Sequence, residues 1–267
     1  MDVTILGCRG STPATGAAFA RYGGDTSSVA VARAGEAPAL VLDAGTGLHR
    51  LSEPLEDQPF RGSILLTHLH WDHTHGLPFA RSVDREDAEV DLYLPAQDGD
   101  PLEVLSRAMS PPHFPITPTQ LRGTWRFHAL EAGKHTIAGF EVLADDVPHK
   151  GGRTFGYRIT HDDSSLAYIP DYWLDAATDE PTDLVDGVGL LLHDSQHTAA
   201  EMREKAFLGH SSIEYTVGLA ERRRVERLAL FHHDPRRTDD EIDLLRTAAQ
   251  TPALDVSAAS AGRRYEV

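Results

Sequence analysis

Four potential metal ligands crowd into six consecutive positions of this chain. The string Thr67-His68-Leu69-His70-Trp71-Asp72-His73 directly follows the apolar run Ile64 to Leu66 and precedes a segment that reads as helical. Imidazole and carboxylate suit zinc, and also manganese or iron. A strand-to-helix turn is not bound to present its side chains on one face, so ligands on it can point at two neighbouring ions.

Around that string, short runs rich in Val, Ile and Leu read as strands: Val3 to Leu6, Ser28 to Val31, Ala39 to Leu42, Ile64 to Leu66 and Val90 to Leu94. More follow at Trp125 to Leu130, Phe140 to Leu143, Phe155 to Ile159, Leu166 to Ile169, Gly189 to Leu192 and Leu228 to Phe231. Helical periodicity covers Leu102 to Met109, Ala199 to Ala206, Ser211 to Arg223 and Asp239 to Ala249. The mixture implies an α/β fold. Without a low-complexity linker or an internal repeat, residues 1–267 read as one domain. Pro111, Pro112, Pro115 and Pro118 crowd around His113 and Phe114, which predicts a stiff surface loop.

Composition narrows the chemistry. Cys8 is the only cysteine, so any metal must rest on His and Asp. The formal charge of −16, from 41 acidic against 25 basic residues, opposes non-specific binding to nucleic acid backbones and favours a small ligand. No apolar run approaches the roughly 18 residues a membrane span needs, and the opening MDVTILGCRG carries no secretory pattern, so a cytoplasmic location is expected.

Two further constellations stand out. In Gly209-His210-Ser211-Ser212, Ser211 and Glu214 are spaced as a capping box, which would set His210 just before a helix N-terminus, where phosphate is favoured and a protonated imidazole can serve a leaving oxygen. Asp194, ending the run in LLLHDSQHT, would orient it. Asp43, in VLDAGTG, reads as a turn residue placed to support a metal-binding histidine. His128, His135, His161 and His197 lack ligand partners at useful spacing and read as surface or hydrogen-bonded residues.

The H-x-H-x-D-H string resembles that of the metallo-β-lactamase superfamily. The resemblance implies a four-layer αββα sandwich with two metals along one edge, held by the string and by three single residues at later strand ends. Those would be His149, Asp171 and His232, with His233 competing for the last place. By the same resemblance His68, His70 and His149 hold one ion, Asp72, His73 and His232 the other, and Asp171 is shared, with a bridging hydroxide as nucleophile. Zinc ranks first and manganese second, because His70 stands where flavodiiron relatives carry glutamate.

Within the superfamily the chain looks most like the branch of tRNA 3′ endonucleases (RNase Z), class II cyclic nucleotide phosphodiesterases and anti-Pycsar enzymes. The matching pieces run almost end to end: GCRGSTP, RYGGDTSSVAV, VLDAGTG, ILLTHLHWDHTHGLPF, MSPPHFP, VPHKGG, FGYRI, AYIPD, LLLHDSQHT, GHSS and LALFHHDP. Asp25 and Tyr172 depart from the branch's usual asparagine and threonine, the second in a place that bears on access to the metals. Exported two-zinc β-lactamases use a cysteine ligand, which argues against antibiotic hydrolysis. The loop from Met109 to Thr119 is short and has no Lys or Arg, unlike a tRNA clamp. The expectation is a binuclear phosphodiesterase acting on a compact substrate such as a cyclic nucleotide. Asp72 and His210 are its catalytic residues, Asp43 and Asp194 its supports, and His113 or Phe114 would stack on a base. RNA processing and lactone or thioester hydrolysis are the alternatives. The branch commonly pairs as homodimers.

Overall fold

Strands buried on both faces need apolar residues at nearly every position, and that is what the unbroken Val, Ile and Leu runs deliver in the computed structural model, which describes residues 1–267. One sheet takes β1 (Asp2–Gly7), β2 (Ser28–Ala32), β3 (Leu40–Leu42), β4 (Arg61–Leu65), β5 (Glu89–Pro95) and β6 (Thr124–Leu130) in chain order. The other takes β7 (Gly133–Ile137), β8 (Phe140–Asp146), β9 (Phe155–His161), β10 (Ser164–Ile169), β11 (Leu190–Asp194), β12 (Arg227–Phe231) and β13 (Asp255–Ala258). The final strand, β14 (Arg264–Glu266), returns to the first sheet beside β1. Strands β3 to β6 run parallel, as do β10 to β13, whereas the remaining joints are antiparallel.

Side-chain alternation sorts the core into layers. Val29, Val31, Leu40 and Leu42 meet Leu166, Tyr168, Leu190, Leu192 and Phe231 between the sheets. Their neighbours Ala30 and Val41 face outward, into a second cluster with Leu48, Leu77 and Leu105. On the far side Ala167, Leu191 and Leu230 pack with Leu184 and Leu219. Those outer clusters are covered on one face by the 3-10 turn Thr46–Ser52, with α1 (Trp71–Thr74) beside it, and by α2 (Pro101–Ser106), and on the other by α3 (Thr182–Val185) and α5 (Ile213–Arg222). The four layers match the expected sandwich. Two more helices, α4 (Ala199–Lys205) and α6 (Asp239–Ala248), begin with true capping boxes at Thr198/Glu201 and Thr238/Glu241. No helix is long and apolar enough to cross a membrane.

Strands β7, β13 and β14 are missing from the sequence reading, because GKHTI, DVSA and RYE are polar edge strands whose partners supply the reason to be extended. The box at Ser211 and Glu214 is also corrected. The cap is Ser212, whose hydroxyl accepts from the Tyr215 amide, while Glu214 accepts from the Ala199 amide of the neighbouring helix. Two residues of the ligand string, Asp72 and His73, lie inside the first turn of α1 rather than on the loop before it.

Candidate metal centre

Parallel neighbours end on the same side of a sheet, so the loops leaving β3 and β4 in one sheet and β10, β11 and β12 in the other can converge on one edge. They deliver Asp43, His68, Asp171, Asp194 and His232, and the turn after β8 adds His149. The convergence is tight: ligand atoms of His68, His70 and His149 lie within 4.8 Å of one another, as do those of Asp72, His73 and His232, and Asp171 groups with His68 and His73. His73 Nε2 is 3.0 Å and His232 Nε2 3.3 Å from Asp171 Oδ2, and each lies 3.3 Å from Asp72 Oδ2.

Each of four rings is fixed through Nδ1, which leaves Nε2 for the centre. His73 donates to Asp43 Oδ2 at 2.7 Å, His149 to the Gly209 carbonyl at 2.8 Å and His232 to Gln196 Oε1 at 2.9 Å. His68 Nδ1 meets the Thr67 hydroxyl at 3.0 Å, and that hydroxyl in turn donates to Asp43. Asp43 is fully buried and also accepts from the Thr67 amide and the Tyr168 hydroxyl, so one carboxylate orients two histidines. His70 is the exception: its Nδ1 faces His149 Nε2 at 3.3 Å. The backbone joins in as well. Ser11, held at φ 61°, donates its amide to Asp72 Oδ2 at 2.7 Å, and Gly10 must be glycine because a Cβ there would come within 2.3 Å of His232 Nδ1.

These donors fit divalent metal. His68 Nε2, His73 Nε2 and Asp171 Oδ2 are buried without a hydrogen-bond partner, an arrangement that costs about 1–3 kcal/mol per group unless something fills the coordination. Burial, with the neighbouring histidines, pushes His68 and His70 below the ordinary imidazole range, and burial does the same to His149, which suits neutral ligands. Burial opposes ionisation of Asp72 and Asp171, yet the facing histidines hold both well below the carboxylate range. Nothing in this set is soft. Cys8 is fully buried beside the Tyr22 and Ala259 carbonyls, and burial pushes its thiol up to about 12.

A family profile described as "Beta-lactamase superfamily domain" matches residues 39–233, close to three quarters of the chain. The chain belongs to that superfamily. Ribonuclease Z of Listeria welshimeri is 30% identical over 173 residues, 62% of this chain and 51% of the relative, and ribonuclease Z of Listeria innocua is 31% identical over the same shares. The chain therefore spans about half the length of the curated relatives it matches. Among solved structures, the metallo-β-lactamase fold protein YhfI from Bacillus subtilis superposes with a TM-score of 0.73 at 21% identity, covering 99% of both chains. Human tRNase Z, short form, gives 0.69 at 21% identity, covering 100% of this chain and 99% of its own. A diphosphatase from the PhnP family gives 0.72 at 18%, covering 100% and 97%. At these identities the likeness establishes the metallo-β-lactamase fold.

Within the superfamily member's cleft, of about 430 Å³, His70, Asp72, His149, Asp171 and His210 share the lining. His210 Nδ1 sits 3.0 Å from Asp194 Oδ2. Burial pushes its pKa down, but Asp194 and Asp171 outweigh that and bring it up to about 9. Asp194 is grouped with His210, Asp171 and His232 by distance, but its oxygens already accept from the Tyr172, Ser211 and Gln196 amides, which makes it a positioning group rather than a ligand.

The structure decides between the two adjacent histidines after β12. His232, at φ 58°, turns into the cluster, and His233 turns away to meet the Ala259 carbonyl at 3.0 Å. It does not bring His113 or Phe114 to the cleft: His113 is exposed on the proline-rich loop, and Phe114 packs edge-on against Phe79 at 5.9 Å over the outer core. Tyr172 points away from the cleft too, stacked on Tyr215 with its hydroxyl on the Asp179 carbonyl. His128 and His135 pair with Asp91 and the Glu131 carbonyl as surface residues should. His197 does not: it is wholly buried 5.8 Å from His210, and both ring nitrogens lack partners. Sequence reasoning also missed Thr67, Gln196 and the Gly209 carbonyl; only their adjacency to ligands could have flagged the first.

Proposed function

We propose that this protein is a metal-dependent hydrolase of compact phosphodiesters, a cyclic nucleotide being the favoured substrate. The observation that carries the reading is the meeting of two three-ligand groups at Asp171, with ligand atoms left unpartnered in a buried site. His68, His70 and His149 would hold one ion, Asp72, His73 and His232 the other, and Asp171 both. Zinc suits this set best and manganese next. Two such ions, when bound, would supply a water of pKa about 7 as nucleophile and stabilisation for a departing oxygen. His210, steadied at Nδ1 by Asp194, keeps Nε2 free on the cleft side to hand a proton to the leaving group. With two dications bound, Asp72 and Asp171 would leave the floor of the cleft positive, which would favour an anionic substrate despite the acidic surface. A homodimer in the cytoplasm is the setting this reading predicts.

Zinc- and manganese-loaded protein should turn over bis-p-nitrophenyl phosphate and at least one cyclic nucleotide, and metal analysis should return about two ions per chain. RNA processing is supported by the Listeria relatives; cleavage of a tRNA precursor alone would establish it and overturn the compact-substrate reading.

A further inference from the structure

Lys150 directly follows the candidate ligand His149 and is one of only three lysines in the chain. It is also the only Lys or Arg lining the cleft with Asp72, Asp171 and His210. The same side chain borders a second cavity of about 290 Å³, where His68 and His70 meet Gln97, Arg107 and the Gly151-Gly152 turn. Of the other cations nearby, Arg153 pairs with Asp146 and Glu131, Lys205 pairs with Glu201 and Asp234, and Arg107, which borders only the second cavity, donates to the Asp98 carbonyl. Lys150 has no carboxylate partner in a chain of net charge −16.

Its position is nevertheless built. The ammonium lies 4.8 Å from the Trp173 ring centroid and 5.7 Å from that of Phe207. The stem runs against Gly209, where a Cβ would stand 3.2 Å from Lys150 Cγ and 3.3 Å from Cδ. Gly209 is thus constrained twice, by this contact and by φ +92°. Aromatic faces hold a cation without discharging it. An ammonium so held, between two cavities that have His70 in common, remains available to an anion.

We infer that Lys150 is a specificity-determining residue, which binds an anionic phosphoryl oxygen of the substrate and so selects phosphodiesters over neutral esters. This rests on the phosphodiesterase reading above. Lys150→Met keeps the stem and removes the charge. It should raise KM for bis-p-nitrophenyl phosphate about tenfold, the equivalent of about 1.4 kcal/mol, while kcat falls less than about threefold. The ratio of phosphodiester to p-nitrophenyl acetate kcat/KM should fall about tenfold, and Lys150→Arg should restore most of it. Fluorescence titration of the zinc-loaded protein with phenyl phosphate should show Kd weakened about tenfold in Lys150→Met. Unchanged KM and Kd, or an equal loss toward the neutral ester, would overturn the assignment. If the wild type cleaves no phosphodiester but Kd still weakens, the anion site stands and the phosphodiesterase reading falls.

Discussion

On one side of the cleft, His68, His73, His149 and His232 are each pinned at Nδ1 by a named acceptor, and the rings are almost wholly buried. On the other, Lys150 is placed by aromatic faces and a missing Cβ, and it adjoins Phe207, which is 65% exposed. The contrast follows from what each side must do. Cation ligands need fixed directions and tautomers, because a rotated imidazole offers no lone pair. A charge that attracts a phosphate tolerates small displacements, because its interaction falls off slowly with distance. The wall bearing Phe207 follows α4, whose capping box and Glu201 contacts to Lys205 and Arg237 anchor it from behind.

The comparison can be broken at the ligand side first. Asp72→Ala should remove measurable phosphodiester turnover and lower bound metal from about two ions per chain toward one while far-ultraviolet circular dichroism stays native. Full turnover would take Asp72 out of the mechanism. Asp43→Asn keeps size but offers His73 a poorer acceptor, so metal affinity measured by competition with a chelator should weaken about 10–100-fold. An unchanged affinity would mean that His73 does not need its carboxylate.

The Phe207 side should respond to acid through a different group. Burial opposes ionisation of Glu201, but the Thr198 amide, Lys205 and Arg237 outweigh it and lower the carboxyl from 4.5 to about 2. A depressed carboxyl stabilises the fold fully above 4.5 and loses that contribution as pH falls toward 2. The Tm advantage of the wild type over Glu201→Gln should therefore shrink between those pH values; a difference independent of pH would show that the charge is not what matters. The smallest effect is expected of Thr198→Ala, which removes the cap of α4 and should cost about 1 kcal/mol in urea unfolding with metal content untouched. Loss of metal in that variant would mean that the two sides are coupled.

Much of the site was legible because its chemistry is written locally. The spacing of His68, His70, Asp72 and His73 needs no tertiary information to be recognised, and Asp43 and Asp194 stood out because each closes an apolar strand. Other parts were not. His197 reads in the sequence as a surface or hydrogen-bonded histidine, since nothing in QHT reveals that the chain bridges to Ser212 and buries the ring against His210. His113 and Phe114 looked like base-stacking candidates, since a proline-rich loop does not state which way it leans. Ser211 and Glu214 fit a capping pattern by spacing alone, but Glu214 found an unpaired amide on α4 instead.

Sequence alone determined the α/β class and the identity of the candidate ligand side chains, because burial on two faces and ligand chemistry both select residue types position by position. The tertiary structure decided what depends on direction and on partners distant in the chain. It chose His232 over His233 by a left-handed backbone turn, recruited Gln196 and the Gly209 carbonyl to set tautomers, and left Lys150 unpaired between two aromatic rings. Those outcomes are fixed by which loops meet at the edge of the two sheets, a relation between residues that no local pattern records.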